Sequence, residues 1–118
     1  MKVTVQHASL NPISGAVIEF VDVAEVNVWH LEDVNEALEY AYRWTNNVSG
    51  SWSIKIKMLE LSDGTAFDNG DYNDDVTVLA PLRKNGMGLR STSMFDRMVV
   101  NGKTYKVGEY GFKEIEGP

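Results

Sequence analysis

The stretch LRSTSMFDRMVVNGKTYKVGEYGFKEI, residues Leu89–Ile115, carries the clearest structural signal in the chain. Two apolar and β-branched runs, Met98–Val100 and Thr104–Val107, flank the pair Asn101-Gly102. Asn-Gly is the favoured pair for a two-residue turn between antiparallel strands. The stretch therefore predicts a β-hairpin, directly preceded by a polar segment rich in Ser, Thr and Arg.

Strand patterns also occur in the first 30 residues and again before the hairpin. Polar and apolar residues alternate in Lys2–His7 and Glu25–Trp29, while Ala16–Val21 and Val76–Ala80 are apolar and β-branched. Both patterns are typical of strands. Asp22–Ala24 is predicted to be either a tight connection or a β-bulge between two of these segments. We therefore predict several strands besides the hairpin.

The most regular alternation lies in Ser51–Leu61, which predicts another strand. The apolar residues of this segment are expected on one face, namely Trp52, Ile54, Ile56 and Met58. Lys55 and Lys57 would lie on the other face, as suits an exposed face or a sheet edge. The next residues, SDGTAFDNGDYNDD, contain Asp-Gly and Asn-Gly and are predicted to form a loop.

The segment HLEDVNEALEYAYRWTNN predicts one amphipathic helix, from Val34 to Thr45. Asp33 is placed to cap its first turn, with Glu36 three residues further on. Asn46 and Asn47 are expected to end it in the left-handed conformation. One helix among many strands predicts an α+β fold, in which the helix packs on a mostly antiparallel β-sheet within a single domain, residues 1–118.

Composition narrows the function classes. The chain of 118 residues is 43% apolar and contains no cysteine, which excludes disulfides and thiolate metal sites. Its N-terminal segment lacks the apolar core of a signal peptide, and no apolar run is long enough to span a bilayer. We therefore expect a protein of a reducing cytosol with no membrane partner.

The net charge of −6 is unevenly distributed. Residues 19–75 hold thirteen acidic and three basic residues, whereas residues 76–118 have a net charge of +3. The overall sign argues against nucleic acid as the main ligand. The acidic segment suits a basic protein surface instead, through electrostatic steering. The candidate partner-binding residues are Glu32, Glu36, Glu39, Asp68, Asp71, Asp74 and Asp75.

Other sites are less well supported by the sequence. An EF-hand loop starting at Asp71 would put Val76 in place of glycine and Leu82 in place of glutamate, so the spacing fails. Weak binding of a hard cation by the loop carboxylates stays an alternative. His7 and His30 lack metal-ligand spacing, and no nucleophile motif is present. We therefore predict no cofactor, no metal site and no enzymatic activity.

The segment RKNGMGLRSTS is the one stretch with the composition of an anion site. Its glycines allow backbone amides to converge, and Arg83, Lys84 and Arg90 supply positive charge. It matches neither a phosphate-binding loop nor a dinucleotide fingerprint. The alternatives are a flexible loop that leads into the hairpin and a part of a protein interface.

The hairpin region resembles the C-terminal part of small uncharacterised proteins encoded by tailed bacteriophages. In those proteins an Arg-Ser-Thr-Ser run precedes Gly-Asp, a short strand, a Gly turn, a Tyr-x-Val strand and a closing Gly-Phe-x-x-Ile. The similarity extends upstream through LEYAYRWTNNVSGSWS and covers about Leu38 to Ile115. Phe95 stands where many relatives have Gly. A weaker resemblance links the closing pattern to bacterial YodL-like domains.

This resemblance implies a phage origin and expression in the host bacterial cytoplasm, and it supplies no catalytic residue. It also implies that the polar run and the hairpin form one structural unit. Ser91, Thr92 and Ser93 are expected to satisfy backbone groups at the bend. Core contacts are expected from Tyr105, Val107 and Phe112.

The leading hypothesis is a non-enzymatic phage accessory protein, acting in host takeover or against host defence, that binds and modulates a bacterial host protein with a basic surface. The first alternative is a protein that binds or sequesters a small molecule or nucleotide through the Arg83–Arg90 loop. A homo-oligomeric structural component is the second alternative.

Overall fold

A computed structural model describes residues 1–115. It contains one α-helix and eight strands: β1 (Lys2–Leu10), β2 (Val17–Asn27), α1 (Val34–Trp44), β3 (Met58–Glu60), β4 (Ala66–Asp68), β5 (Val76–Val78), β6 (Arg97–Val100), β7 (Lys103–Gly108) and β8 (Gly111–Ile115). Six strands form an antiparallel sheet in the order β5-β2-β1-β6-β7-β8, while β3 and β4 form a separate two-stranded ribbon. The predicted α+β class, with a helix on a mostly antiparallel sheet, is confirmed.

The core lies between α1 and one face of the six-stranded sheet. The helix contributes Ala37, Leu38 and Ala41, which share one side of it because they are three and four residues apart. The sheet contributes mainly β-branched residues, which are listed here: Val3, Val5, Val26, Met98, Val100 and Val107. Tyr105 and Phe112 are half-buried against this cluster, and Val107 is buried, as the hairpin motif implies.

The opposite face of the sheet has a different character. Residues directly opposite one another on paired strands project to the same side, and neighbours along a strand project to opposite sides. Arg97, Lys106 and Lys113 stand opposite one another, whereas Met98 and Val107 beside them are buried. The three cations therefore project away from α1. We call this side of the sheet, opposite α1, the open face.

Local signals for turns and caps are confirmed in several places. Asn101 and Gly102 have φ values of 53° and 75°, so both central residues of the β6–β7 turn are left-handed. The Asp33 carboxylate accepts a hydrogen bond from the Glu36 amide at 3.0 Å. Residues 17–27 form one strand with a register shift at Val23, so the bulge alternative for Asp22–Ala24 is correct.

The predicted strand Ser51–Leu61 is wrong, because only its end, Met58–Glu60, is a strand. Trp52 is buried, but Ile56 is 52% exposed, so the alternating apolar face does not exist. The Asn69 side chain binds the Ser51 amide and the carbonyls of Ser51, Ile54 and Ile56. These side-chain bonds replace a strand ladder. The predicted loop that follows contains β4, the partner of β3.

The predicted end of the helix is also wrong in detail. Among residues 1–115 the left-handed residues other than glycine are Phe95 and Asn101, so neither Asn46 nor Asn47 adopts that conformation. Thr45 closes the helix instead, with its hydroxyl donating to the Ala41 carbonyl at 2.7 Å. The Asn46 amide also donates to a carbonyl of the last turn.

Candidate functional site

The polar run before β6 is built around an ion pair between Arg90 and Asp96. The Arg90 guanidinium donates to both carboxylate oxygens of Asp96, at 2.7 and 2.8 Å. The backbone amides of Ala8 and Ser93 each donate to the same carboxylate at 2.8 Å. Burial alone would raise the pKa of Asp96, but these donors outweigh it and hold that pKa below its usual value.

This pair changes what is expected of Arg90 in the predicted anion site at Arg83, Lys84 and Arg90. The charge of Arg90 is already matched by a carboxylate that is 1% exposed. The Nε atom of Arg83 donates to the Gly88 carbonyl at 2.7 Å, while Lys84 is exposed in a 3₁₀ turn, Lys84–Gly86. Of the three predicted cations, Arg90 is therefore engaged within the fold, while Arg83 and Lys84 are exposed.

A second part of the run joins β1 to the end of α1. The Thr92 hydroxyl lies 2.8 Å from Nε2 of His7 and donates to the Thr45 hydroxyl at 2.8 Å. Burial is the main cause that lowers the pKa of His7 to about 4, while Asp96 opposes the shift and Arg90 adds to it. His7 is thus a neutral core residue, and Thr92, 1% exposed, is inaccessible as a nucleophile.

The other hydroxyls of the run partly match the expectation from the motif. The Ser91 hydroxyl accepts from the Asn47 backbone amide at 2.8 Å, just beyond α1. The Ser93 hydroxyl accepts from Arg90 at 3.4 Å. Ser91 therefore satisfies a backbone group, but that group belongs to the helix end, 44 residues away in sequence.

The predicted acidic contacts divide into exposed and internal residues. Glu32, Glu36, Glu39, Asp68 and Asp74 are exposed. Asp75 is half-buried and accepts from the Tyr40 hydroxyl at 2.6 Å. These six residues are all at least partly exposed.

The prediction that Asp71 contacts a partner is wrong, because this residue is fully buried. It accepts hydrogen bonds from the Val48 and Ser49 amides at 2.8 and 2.9 Å and from Arg43 at 3.2 Å. A carboxylate with these partners holds the loop after α1 and cannot contact another protein.

Glu39, an exposed acid of α1, borders a groove that sequence reasoning missed. The groove has a volume of about 240 Å³ and runs between α1 and the β7–β8 turn. Glu39 and Glu109 lie at it, and the Tyr42 and Phe112 rings line it in an edge-to-face pair 6.0 Å apart. We call these four residues the acidic groove. The only sequence signal for Glu109 is its place in the turn before the closing aromatic strand.

A second cavity lies beside the Arg90–Asp96 pair. It has a volume of about 680 Å³ and its apolar walls come from the β1–β2 hairpin and the bend before β6, namely Leu10, Val17, Met94 and Phe95. Phe95 has a φ of 79°, in the region that favours glycine, and its side chain is 55% exposed.

Two further kinds of site and the comparisons with known proteins complete the description of residues 1–115. Within residues 1–115, no three His, Asp or Glu side chains lie close enough together to hold a metal ion. The one α-helix in that range is too short and too polar to cross a membrane. No protein-family model, curated protein or solved structure matches the chain.

Proposed function

We propose that the protein is a phage-encoded accessory protein that binds and modulates a bacterial host protein in the host cytoplasm, without enzymatic activity of its own. The observation that carries this proposal is the acidic groove, in which two carboxylates flank an aromatic pair on the helix side of the sheet. The resemblance of the hairpin region to phage proteins supports the origin.

The groove suits a basic side chain of a partner. A Lys or Arg inserted there would meet the Glu39 and Glu109 carboxylates and the faces of Tyr42 or Phe112. Its volume of about 240 Å³ is below the range of pockets that enclose small-molecule ligands. Aromatic residues and arginine dominate the binding energy of protein interfaces, so one anchoring residue would supply much of the affinity.

The distribution of charge also favours binding of a basic partner on the helix side of the sheet. Glu36 and Glu39 are three residues apart and lie on neighbouring positions of the exposed side of α1. The three cations of β6, β7 and β8 project from the open face instead. A basic partner would therefore be steered to the helix side.

The test is affinity capture from a bacterial lysate, with identification and purification of the captured protein and calorimetric measurement of its affinity. The double variant Glu39→Lys/Glu109→Lys should lose binding, while Glu60→Lys, an exposed acid on β3 outside the groove, should keep it. Absence of any specific partner at low salt, or equal binding by all three proteins, would refute the proposal.

A further inference from the structure

The open face carries a row of three cations. Arg97 pairs with Lys106, and Lys106 with Lys113, across three adjacent strands. Strands in a sheet are roughly 4.8 Å apart, so the row spans about 10 Å. None of the ion pairs found within residues 1–115 involves these three side chains. The row is therefore a local concentration of positive charge on a protein of net negative charge.

Aromatic rings accompany the cations. The Arg97 guanidinium lies 3.8 Å from the centre of the Phe20 ring, and the Lys106 ammonium 5.2 Å from that of Phe95. A shallow cavity of about 270 Å³ is lined by Val17, Phe20, Phe95, Arg97, Lys106 and Ile115. No carboxylate of the described residues is among them.

Phe95 lowers the stability of the folded protein in two ways. Its positive φ strains any residue other than glycine, and more than half of its large apolar side chain is exposed. Strained residues with exposed apolar side chains are concentrated at binding surfaces. The position of Phe95 between the cation row and the apolar bend therefore indicates a role in recognition.

We infer that the open face binds a single-stranded nucleic acid, with phosphates along Arg97, Lys106 and Lys113 and with a base stacked on the exposed ring of Phe95, just before β6. Cationic rows combined with aromatic rings are the usual means of binding single strands. The cavity is too shallow to enclose a free nucleotide, and a row of about 10 Å suits more than one phosphate. Paired bases of a duplex could not reach the rings.

The net negative charge of the protein lowers the affinity of this site for nucleic acid but does not prevent binding. Asp22 and Glu25 lie on the β2 part of the open face, since they stand opposite Gln6 and Thr4. The nucleic acid strand is therefore confined to β6, β7 and β8. Acids on the helix side are screened over a Debye length of about 10 Å. Binding should thus be weak and strongly dependent on salt.

The test is fluorescence anisotropy of a labelled single strand of mixed sequence, about 12 nucleotides long. With three phosphate contacts, the logarithm of the association constant should fall with the logarithm of salt concentration with a slope of about −2. Lys113→Gln should reduce that slope by about 0.7, whereas Lys84→Gln, a lysine exposed in the Arg83–Arg90 loop, should leave it unchanged.

Phe95→Gly separates recognition from folding. It should weaken binding of the single strand about tenfold through loss of stacking, while the melting temperature does not fall. Polyglutamate should compete poorly, because it offers charge without bases. No binding at about 50 mM salt, equal effects of Lys84→Gln and Lys113→Gln, or full binding by Phe95→Gly would each overturn the inference.

Discussion

The Thr92 hydroxyl lies 2.8 Å from Nε2 of His7 and joins the bend before β6 to the first strand across 85 residues of sequence. The His7 ring also packs edge-on against Trp52, with 6.1 Å between ring centres. This contact explains why the hydroxyl-rich run precedes the hairpin, because the run carries the polar groups that a buried imidazole requires.

Stability should fall on mild acidification because of His7. Its pKa drops from 6.5 when unfolded to about 4 when folded, so between these values the unfolded chain binds the extra proton. The stabilisation is complete above pH 6.5 and is lost as the pH falls towards 4, at up to about 1.4 kcal/mol per pH unit. Urea unfolding across this range should show the loss.

The matched variants for this prediction are His7→Gln and His30→Gln. The first should remove most of the slope between pH 6.5 and 4 even if it lowers stability overall. The second changes an exposed histidine and controls for the loss of an imidazole outside the core. A wild-type slope near zero over that interval would contradict the buried, neutral state of His7.

Removing Arg90 should be far more costly than removing a surface partner. Arg90→Met leaves the Asp96 carboxylate buried without its countercharge, and we expect a loss of about 3 kcal/mol in unfolding free energy. Lys103→Met breaks the exposed pair with Glu114 and should cost less than about 1 kcal/mol. Chemical denaturation measures both; similar losses would show that the buried pair is not important for stability.

Phe95→Gly should keep or raise stability. Relief of the left-handed strain contributes about 1–2 kcal/mol, and the greater backbone freedom of glycine in the unfolded chain offsets about 0.5–1 kcal/mol. Phe95→Ala retains the strained φ and serves as the control. A clear drop in the urea midpoint for Phe95→Gly but not for Phe95→Ala would contradict the assigned conformation.

Asp71 and Asp74 should respond differently, although they lie three residues apart. Asp71→Ala removes the acceptor of two backbone amides and of Arg43, and we expect a loss of about 3 kcal/mol. Asp74→Ala changes an exposed side chain and should stay within about 0.5 kcal/mol of wild type. Equal urea midpoints for the two variants would place Asp71 at the surface.

The elements predicted well are those that depend on neighbours in sequence. Asn101-Gly102 specifies its turn through two positive φ values, and Asp33 caps a helix with an amide three residues away. The apolar stripe of α1 likewise identifies the side that is buried. These signals suffice for the fold class.

The errors concern residues whose partners are distant in sequence. Asp71 looks like one of several loop acids, and only Arg43, 28 residues earlier, and two loop amides make it internal. Arg90 looks available to an anion until the bend brings Asp96 against it. Trp52 leaves the predicted strand because its indole donates to the Arg90 carbonyl, 38 residues away. Such pairings cannot be read from local patterns.

The charge arrangement is a further property of the fold. Glu39 and Glu109 come together because α1 packs beside the β7–β8 turn, and the cations separate from them because strand neighbours alternate between faces. Neither the pair of acids nor the separate row of cations can be inferred from the net charge of −6.

The most direct measurement of the central claim is calorimetric titration of the purified host partner with the wild-type protein and with Glu39→Lys/Glu109→Lys. We predict that the wild type binds and that the double variant binds at least about tenfold more weakly, with wild-type affinity falling as salt rises. Equal affinities, or an affinity that salt does not change, would contradict recognition through the acidic groove.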